Sequence, residues 1–226
     1  MNRLIKGAAL GLALVLSSTA FFGCQSKADI SEKFEFVTGV SDKALSVTEG
    51  EILVNETVTA QKDIEGIVQS KDIETYITFS NGPEAPDFEL QRTEVLASSG
   101  DRSEYTFVKS GETMLELFDG VGDYATEAPD IYESFAIDFG TDEISELEVT
   151  DAEKGNDCYM MTMTSEYADK LDTESDGTKL DCTSVIICYY IDSLERLTKR
   201  TCEITYTLTL DGESQTVSRF IDSKIH

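Results

Sequence analysis

The sequence of 226 residues contains no tryptophan and a single histidine, His226. With one histidine at the end of the sequence, we expect neither a Ser-His-Asp triad nor a metal site built on histidines. No glycine-rich phosphate-binding motif follows a predicted strand. The sequence therefore predicts no catalytic residues, no metal and no cofactor, and we expect a protein that is not an enzyme.

Basic residues are also scarce. The 18 lysines and arginines face 44 aspartates and glutamates, for a formal net charge of −26. Nucleic acids and anionic lipid headgroups both need a basic surface, so we expect neither as a docking partner. The acidity serves either to keep the surface solvated or to attract cations. With so many carboxylates, a glycosidase pair cannot be selected from the sequence.

The first residues have the pattern of a secretory signal. Arg3 and Lys6 precede an apolar run over residues 7–22, and Gly23 and Cys24 follow it. A charged start, an apolar middle and a small residue at the cut are typical of an exported protein. The run is short of the roughly 20 apolar residues of a membrane span. A true N-terminal membrane anchor is the alternative.

The end of this run, Phe-Phe-Gly-Cys at residues 21–24, resembles the lipobox of bacterial lipoproteins. Gly23 fits the small position before the cut, whereas Phe21 stands where an aliphatic residue is usual. The resemblance implies that Cys24 is lipidated and becomes the mature N-terminus, on the outer face of the bacterial cell membrane. We expect a signal peptide over 1–23, a lipidated tether with a candidate helix over 24–45, and one sheet domain over 46–226.

Most of the remaining chain alternates between apolar and polar residues. Such runs occur at 52–59, 73–79, 88–91, 105–107, 114–118, 159–164, 185–191, 203–210 and 215–221. Period-two alternation with Gly, Asp and Ser at the breaks is typical of antiparallel strands that are wet on one face. The pattern predicts an α+β fold that is mainly β: a curved antiparallel sheet, or half-barrel, of roughly eight or more strands, with one to three short helices across its concave side.

Three segments show helical signals. Ile131, Phe135 and Phe139 are spaced by four residues, after Pro129 and before a glycine. This spacing with a start and a stop signal predicts a helix over 131–139. Residues 165–171 form a second, shorter candidate. Residues 29–46 form a third, although they include a glycine at position 39.

Two short segments of the C-terminal part resemble a known family. Tyr-Tyr-Ile-Asp at residues 189–192 opens a hairpin that continues with Leu-Thr-Lys-Arg at residues 197–200 and a threonine-rich strand. This arrangement resembles LolA-like, or LppX-like, lipoproteins of Gram-positive bacteria, over about residues 45–222. The resemblance implies a half-barrel whose helices close an apolar concavity, and relatives of that shape carry lipids. It supplies no catalytic residues.

Four cysteines remain after Cys24, and four cysteines allow three pairings. Cys188 and Cys202 flank a predicted hairpin. A three-residue loop would place them directly opposite, within disulfide reach. We therefore predict a Cys188–Cys202 disulfide, and Cys158 and Cys182 could pair across the loop between them. Four reduced, partly buried thiols are the alternative.

An acidic motif, Asp-Thr-Glu-Ser-Asp-Gly at residues 172–177, has oxygen ligands at alternating positions, as at the start of a calcium loop. The pattern then fails, with Lys179 at position 8 and Thr183 at position 12. A solvated loop that joins two strands is the alternative to a calcium site.

Apolar residues of the predicted sheet are candidates for lining a ligand pocket, because methionine packs against irregular shapes. They are Tyr159, Met161, Met163, Ile187, Tyr189 and Tyr206. Plain hydrophobic core is the alternative for the same residues.

The favoured hypothesis is a membrane-anchored extracytoplasmic lipoprotein that binds or carries a lipid or another apolar small molecule. The alternative is a structural lipoprotein with a packed core and an envelope protein as its partner. A cavity of a few hundred Å3 separates the two hypotheses.

Overall fold

The computed structural model describes residues 26–82, 86–152, 155–175 and 178–226. These residues form two α-helices, α1 (Lys27–Leu45) and α2 (Ser165–Asp169), and a 3-10 turn at Thr141–Glu143. The strands are β1 Gly50–Ala60, β2 Lys71–Ser80, β3 Asp87–Leu96, β4 Arg102–Ser110, β5 Thr113–Phe118, β6 Val121–Tyr124, β7 Ile144–Asp151, β8 Asn156–Met163, β9 Thr173–Ser175, β10 Thr178–Asp192, β11 Leu197–Leu210 and β12 Glu213–Ile225.

The strands form one curved, open antiparallel sheet, as predicted. In the described part of the chain the sheet has twelve strands, in the order β6-β5-β4-β3-β2-β1-β12-β11-β10-β8-β7, with β9 paired to β10. The first and last strands of the chain are neighbours at the centre, where Ile52 of β1 lies opposite Ile225 of β12. Two series of hairpins extend from this central pair to the two edges.

The alternation seen in the sequence becomes one buried face. In β2, Ile73, Ile77 and Phe79 are buried, whereas Glu74 and Thr78 between them are exposed. We call the buried side the inner face. The opposite, outer face carries threonine and charged side chains, which explains why an apolar–polar alternation predicts strands that are wet on one side.

Helix α1 packs on the inner face. The Ser26 hydroxyl accepts a hydrogen bond from the Asp29 N–H and caps the helix start. Val37 and Val40 are 0% and 2% exposed, so this face of the helix belongs to the core. The prediction of a helix over 29–46 is confirmed. A Cβ atom added at Gly39 would meet no other atom within 4 Å.

The predicted helix over 131–139 is wrong. Ile131, Phe135 and Phe139 are all buried at the expected spacing, but the backbone makes turns over 131–135 and no helix. Tertiary partners explain the difference. Ser41 of α1 donates to the Phe135 carbonyl, and Arg200 of β11 donates to the Ser134 carbonyl. These bonds direct the two carbonyls toward α1 and β11, so the segment follows its tertiary partners and not a regular helix.

The hydrophobic core is contiguous. It runs from Ile30 in α1 to Val217 in β12 and includes residues of the 131–139 segment and of both halves of the sheet. Because the described residues share this one core, we expect residues 26–226 to fold as one unit.

Candidate functional site

A cavity of about 610 Å3 lies between the C-terminal end of α1, the tip of the β10–β11 hairpin and the end of β12. Half of its lining residues are apolar: Val40, Ala44, Val47, Leu194, Leu197 and Ile225. The others are Lys43, Glu49, Glu195, Arg196, Thr198 and His226. Leu194 is 68% exposed whereas Val40 is 2% exposed, so the cavity leads from solvent to the core.

The hairpin tip that forms one wall is fixed by Asp192. Its Oδ1 accepts hydrogen bonds from the N–H groups of Leu194 and Arg196, at 2.9 and 3.0 Å. Its Oδ2 accepts from Nε and Nη2 of the Arg196 side chain. These bonds, above all the one from the Arg196 side chain, lower the pKa of Asp192. The tip is thus held in one conformation and presents Leu194 and Leu197 to the cavity.

Charged side chains ring the mouth of the cavity. Glu49 belongs to none of the ion pairs among the described residues, whereas the other charged side chains there are paired. Lys43 of α1 and Glu195 of the hairpin lie 4.0 Å apart, and both are well exposed. Arg196 is bonded to Asp192. Exposed pairs of this kind contribute little to stability. The mouth therefore offers no uncompensated positive charge on these residues.

A layer of buried polar groups follows the lining residues Val40 and Leu197 along α1 and β11. Ser41, one residue after Val40 on α1, donates its hydroxyl hydrogen to the Phe135 carbonyl at 3.1 Å. Arg200 of β11 donates from Nη1 to the Ser134 carbonyl at 2.9 Å and from Nε to the Tyr189 hydroxyl at 3.2 Å. The layer ties the 131–139 segment to both α1 and the sheet.

Arg200 is a buried cation without a carboxylate partner among the described residues. The residue is 9% exposed, and none of the ion pairs in the described ranges includes it. Burial raises the pKa of Tyr189, and the Arg200 charge only partly opposes this, so the phenol is neutral at neutral pH. Close by, the buried hydroxyl of Ser134 has no hydrogen-bond partner in the described part of the protein.

The six residues predicted to line an apolar pocket do share the inner face, but they pack in the core. Met161, Tyr189 and Ile187 are at most 1% exposed, and the others are Met163, Tyr206 and the half-buried Tyr159. None of the six lines the cavity at the end of α1. The Tyr189 hydroxyl alone reaches the polar layer beside it. Their role as a ligand pocket stays a prediction.

The predicted position of Cys188 directly opposite Cys202 is wrong. The register pairs Cys188 with Thr201 and Cys202 with Ile187, so the two side chains point to opposite faces of the sheet. Cys158 lies opposite Tyr190, eight residues along β10 from Cys182, or about 26 Å at 3.3 Å per residue. The cysteines Cys158, Cys182, Cys188 and Cys202 are free thiols in this structure.

Cys158 and Cys188 instead form a pair on the outer face. They occupy diagonal positions on β8 and β10, since Cys158 lies opposite Tyr190. The Cys188 thiol donates a hydrogen bond that, against the effect of burial, lowers the pKa of Cys158 to about 7. The Tyr190 hydroxyl and the Lys199 charge act in the same direction. The same hydrogen bond raises the pKa of Cys188.

The candidate calcium motif is structured in a different way. Residues 173–175 form β9, and Asp172 accepts a hydrogen bond from the Cys182 N–H at 2.6 Å. Asp176 and Gly177 lie outside the described residues. Among the residues that the structure describes, no cluster of three or more histidine, cysteine, aspartate or glutamate side chains could hold a metal ion.

Cys24 and the signal-like segment before it also lie outside the described residues. In the described ranges, no helix combines the length and the apolar character that crossing a membrane requires.

Sequence reasoning missed the residues that build the cavity and its inner end. Val40, Leu197 and Arg200 come together from α1 and β11. The sequence indicated only that residues 197–200 resemble a segment of a known family, not that they lie at a cavity. One local signal was present in the sequence: Arg200 stands at a position of β11 where the alternation predicts a buried side chain.

No protein-family model matches the sequence, and no curated protein matches it significantly. Among solved structures, the chain is similar to the crystal structure of LprF from Mycobacterium bovis. The two share 12% sequence identity at a TM-score of 0.42, over 86% of this chain and 91% of that chain.

Proposed function

We propose that this protein is a lipid-anchored extracytoplasmic lipoprotein that binds and carries the acyl chain of an amphiphile in the cavity at the end of α1. The observation that supports this most directly is the cavity itself. Its volume of about 610 Å3 falls within the range of about 300–1,000 Å3 that is usual for small-molecule sites.

The chemistry of the cavity favours an apolar chain. Valine, alanine, leucine and isoleucine side chains form half of its lining residues. Burying a methylene group is worth about 0.8 kcal/mol, so a chain of several carbons gains affinity without any specific contact. The polar lining residues lie mainly at the mouth, where they can remain hydrated.

The proposed anchor would hold the cavity near a membrane. Lipidated Cys24 would stand two residues before the Ser26 cap of α1. A helix of 19 residues is about 28 Å long, so the cavity at its C-terminal end would lie roughly one helix length from the lipid. A tether this short keeps a carrier close to its source of lipid.

We propose binding and not catalysis. The carboxylates at the mouth, Glu195 and Asp192, lie next to Lys43 and Arg196 and are committed to those partners. The pKa of Asp192 is lowered, above all by the bond from the Arg196 side chain, whereas a general acid requires a raised one.

One observation favours the alternative, a lipoprotein that binds an envelope protein. The edge strand β6 and the end of β5 beside it expose three large apolar side chains: Phe118, Val121 and Tyr124 are 59%, 78% and 76% exposed. An exposed edge strand can pair with an extended segment of another chain.

The proposal is tested by purifying residues 26–226 from a bacterial host and recording native mass spectra beside an organic extract. A stoichiometric amphiphile, present in the extract and bound to the protein, is the expected result. A clean apo mass that stays clean after incubation with dodecanoate, dodecanol and phospholipid vesicles would remove the carrier function and leave the protein-binding alternative.

A further inference from the structure

The strongest unexplained feature of the inner face is the buried guanidinium of Arg200. From it we propose that the ligand of the cavity is an acyl-chain carboxylate, such as a fatty acid, whose carboxylate binds Arg200 while its chain fills the cavity. This inference rests on the proposed function and adds the chemistry of the headgroup.

The first step concerns charge. An arginine is protonated in proteins at any ordinary pH, and a buried charge without a partner is costly. Arg200 is 9% exposed, and its hydrogen bonds go to a neutral carbonyl and a neutral phenol. No carboxylate among the described residues lies within ion-pair distance of it. An anionic ligand would supply the missing countercharge.

The second step concerns hydrogen bonds. A guanidinium has five N–H donors in a planar fork, and Arg200 uses two of them within the described residues. The buried Ser134 hydroxyl is unpartnered there as well. A carboxylate accepts two parallel bonds from such a fork, which gives the ligand both orientation and energy.

The third step concerns position. Leu197 lines the cavity, and Arg200 follows it by three residues on the same inner face. At 3.3 Å per residue the two Cα atoms are at most about 10 Å apart. On the other wall, Val40 lines the cavity, and Ser41 is the next residue of α1. Ser41 donates a hydrogen bond to the Phe135 carbonyl.

The cations at the mouth do not compete for the carboxylate. Lys43 lies beside Glu195, and Arg196 is bonded to Asp192. Both are exposed, and an ion pair there is weakened by water and salt. A carboxylate at the inner end is therefore favoured over one at the mouth.

The test compares dodecanoate with dodecanol, which has the same chain and no charge, by isothermal titration calorimetry on residues 26–226. We expect the unmodified protein to bind the carboxylate at least tenfold more tightly than the alcohol. Arg200→Met should bind both equally. Arg200→Lys, which keeps the charge, should retain part of the preference. Arg196→Met removes a cation at the mouth and reports on headgroup binding there. Arg102→Met, at an exposed arginine of β4 that does not line the cavity, is the matched control and should retain all of the preference.

The outcomes are distinguishable. If the unmodified protein binds both ligands with equal affinity, the carboxylate inference is overturned and the proposed function stands. A preference that survives in Arg200→Met but is lost in Arg196→Met places the headgroup at the mouth, and this also overturns the inference. If neither ligand binds, the proposed function fails as well. Should Arg200→Met not fold, Arg200→Lys decides: a reduced preference for the carboxylate supports Arg200 as the binding group, and an undiminished one overturns the inference.

Discussion

Arg200 and Tyr189 are direct partners across β10 and β11, with the guanidinium donating to the phenol oxygen at 3.2 Å and lying 5.7 Å from the ring centroid. The phenol is thus an acceptor for a buried cation and also its aromatic neighbour. The same guanidinium holds the Ser134 carbonyl, so this pair links the sheet to the segment that closes the inner face.

Replacing Tyr189 with phenylalanine should therefore destabilise the protein. The substitution leaves the ring in place but removes the acceptor for a buried, charged N–H, a loss of about 1–3 kcal/mol. Urea denaturation measures the change. Tyr124→Phe, at a tyrosine that is 76% exposed, is the control and should stay within about 0.5 kcal/mol of the unmodified protein. Equal midpoints for the two variants would show that the hydrogen bond is energetically irrelevant.

Gly39 offers a stabilising substitution. A Cβ atom at this position would meet nothing within 4 Å, and the residue lies inside α1 with helical backbone. Gly39→Ala should therefore stabilise the protein by about 0.5–1 kcal/mol, because alanine has the higher helix propensity. Gly66→Ala is the contrast: space is equally open there, but φ is +78°, so that variant should lose stability. A thermal midpoint that falls in Gly39→Ala would contradict the account of α1.

The thiol pair on the outer face predicts a pH dependence. Because the Cys188 hydrogen bond lowers the pKa of Cys158 to about 7, the thiolate of Cys158 should form as the pH rises through about 7. Alkylation by iodoacetamide, followed by peptide mass mapping, should therefore be half-maximal near that pH. At Cys202, where burial raises the pKa, it should begin only at higher pH. In Cys188→Ala the midpoint for Cys158 should move up toward its ordinary value of 9.0. An unchanged midpoint for Cys158 in this variant would show that the Cys188 thiol does not stabilise the Cys158 thiolate.

Replacing Cys24 with serine tests the anchor. Two acyl chains give stable attachment to a membrane, and the acidic domain has no electrostatic attraction to anionic headgroups of its own. The Cys24→Ser variant should therefore appear in the culture medium, whereas the unmodified protein sediments with membranes. A variant that remains with the membranes after a high-salt wash would contradict lipidation as the tether.

Much of the sheet was predictable because each strand carries its own signal. The alternation of Ile73, Ile77 and Phe79 with polar residues fixes both the strand and its buried face without reference to distant residues. Helix α1 was predictable for the same reason, since Val37 and Val40 share one helical face.

Features that depend on distant partners were not predictable. The spacing of Ile131, Phe135 and Phe139 is helical, yet the segment is not a helix. Two of its carbonyls instead bind Ser41 and Arg200, which lie 94 and 66 residues away in the sequence. The cavity likewise forms where α1, a hairpin tip and the last strand meet.

The prediction that Cys188 lies opposite Cys202 was wrong because of a local detail of the hairpin. The hairpin closes with Asp192 opposite Arg196, and a bulge between Tyr190 and Ile191 then places Cys188 opposite Thr201, one residue from Cys202. Because side chains alternate between faces, that single shift separates Cys188 from Cys202.

The most direct test of a ligand in the cavity is to fill it. Ala44 lines the cavity, so Ala44→Trp should occupy the space of the acyl chain, whereas Ala97→Trp adds the same side chain at an exposed turn between β3 and β4. Native mass spectrometry of residues 26–226 after incubation with dodecanoate measures the bound fraction. We expect full occupancy in the unmodified protein and in Ala97→Trp, and loss of the adduct in Ala44→Trp. Equal occupancy in all three proteins would contradict the account, because the ligand would then bind somewhere else.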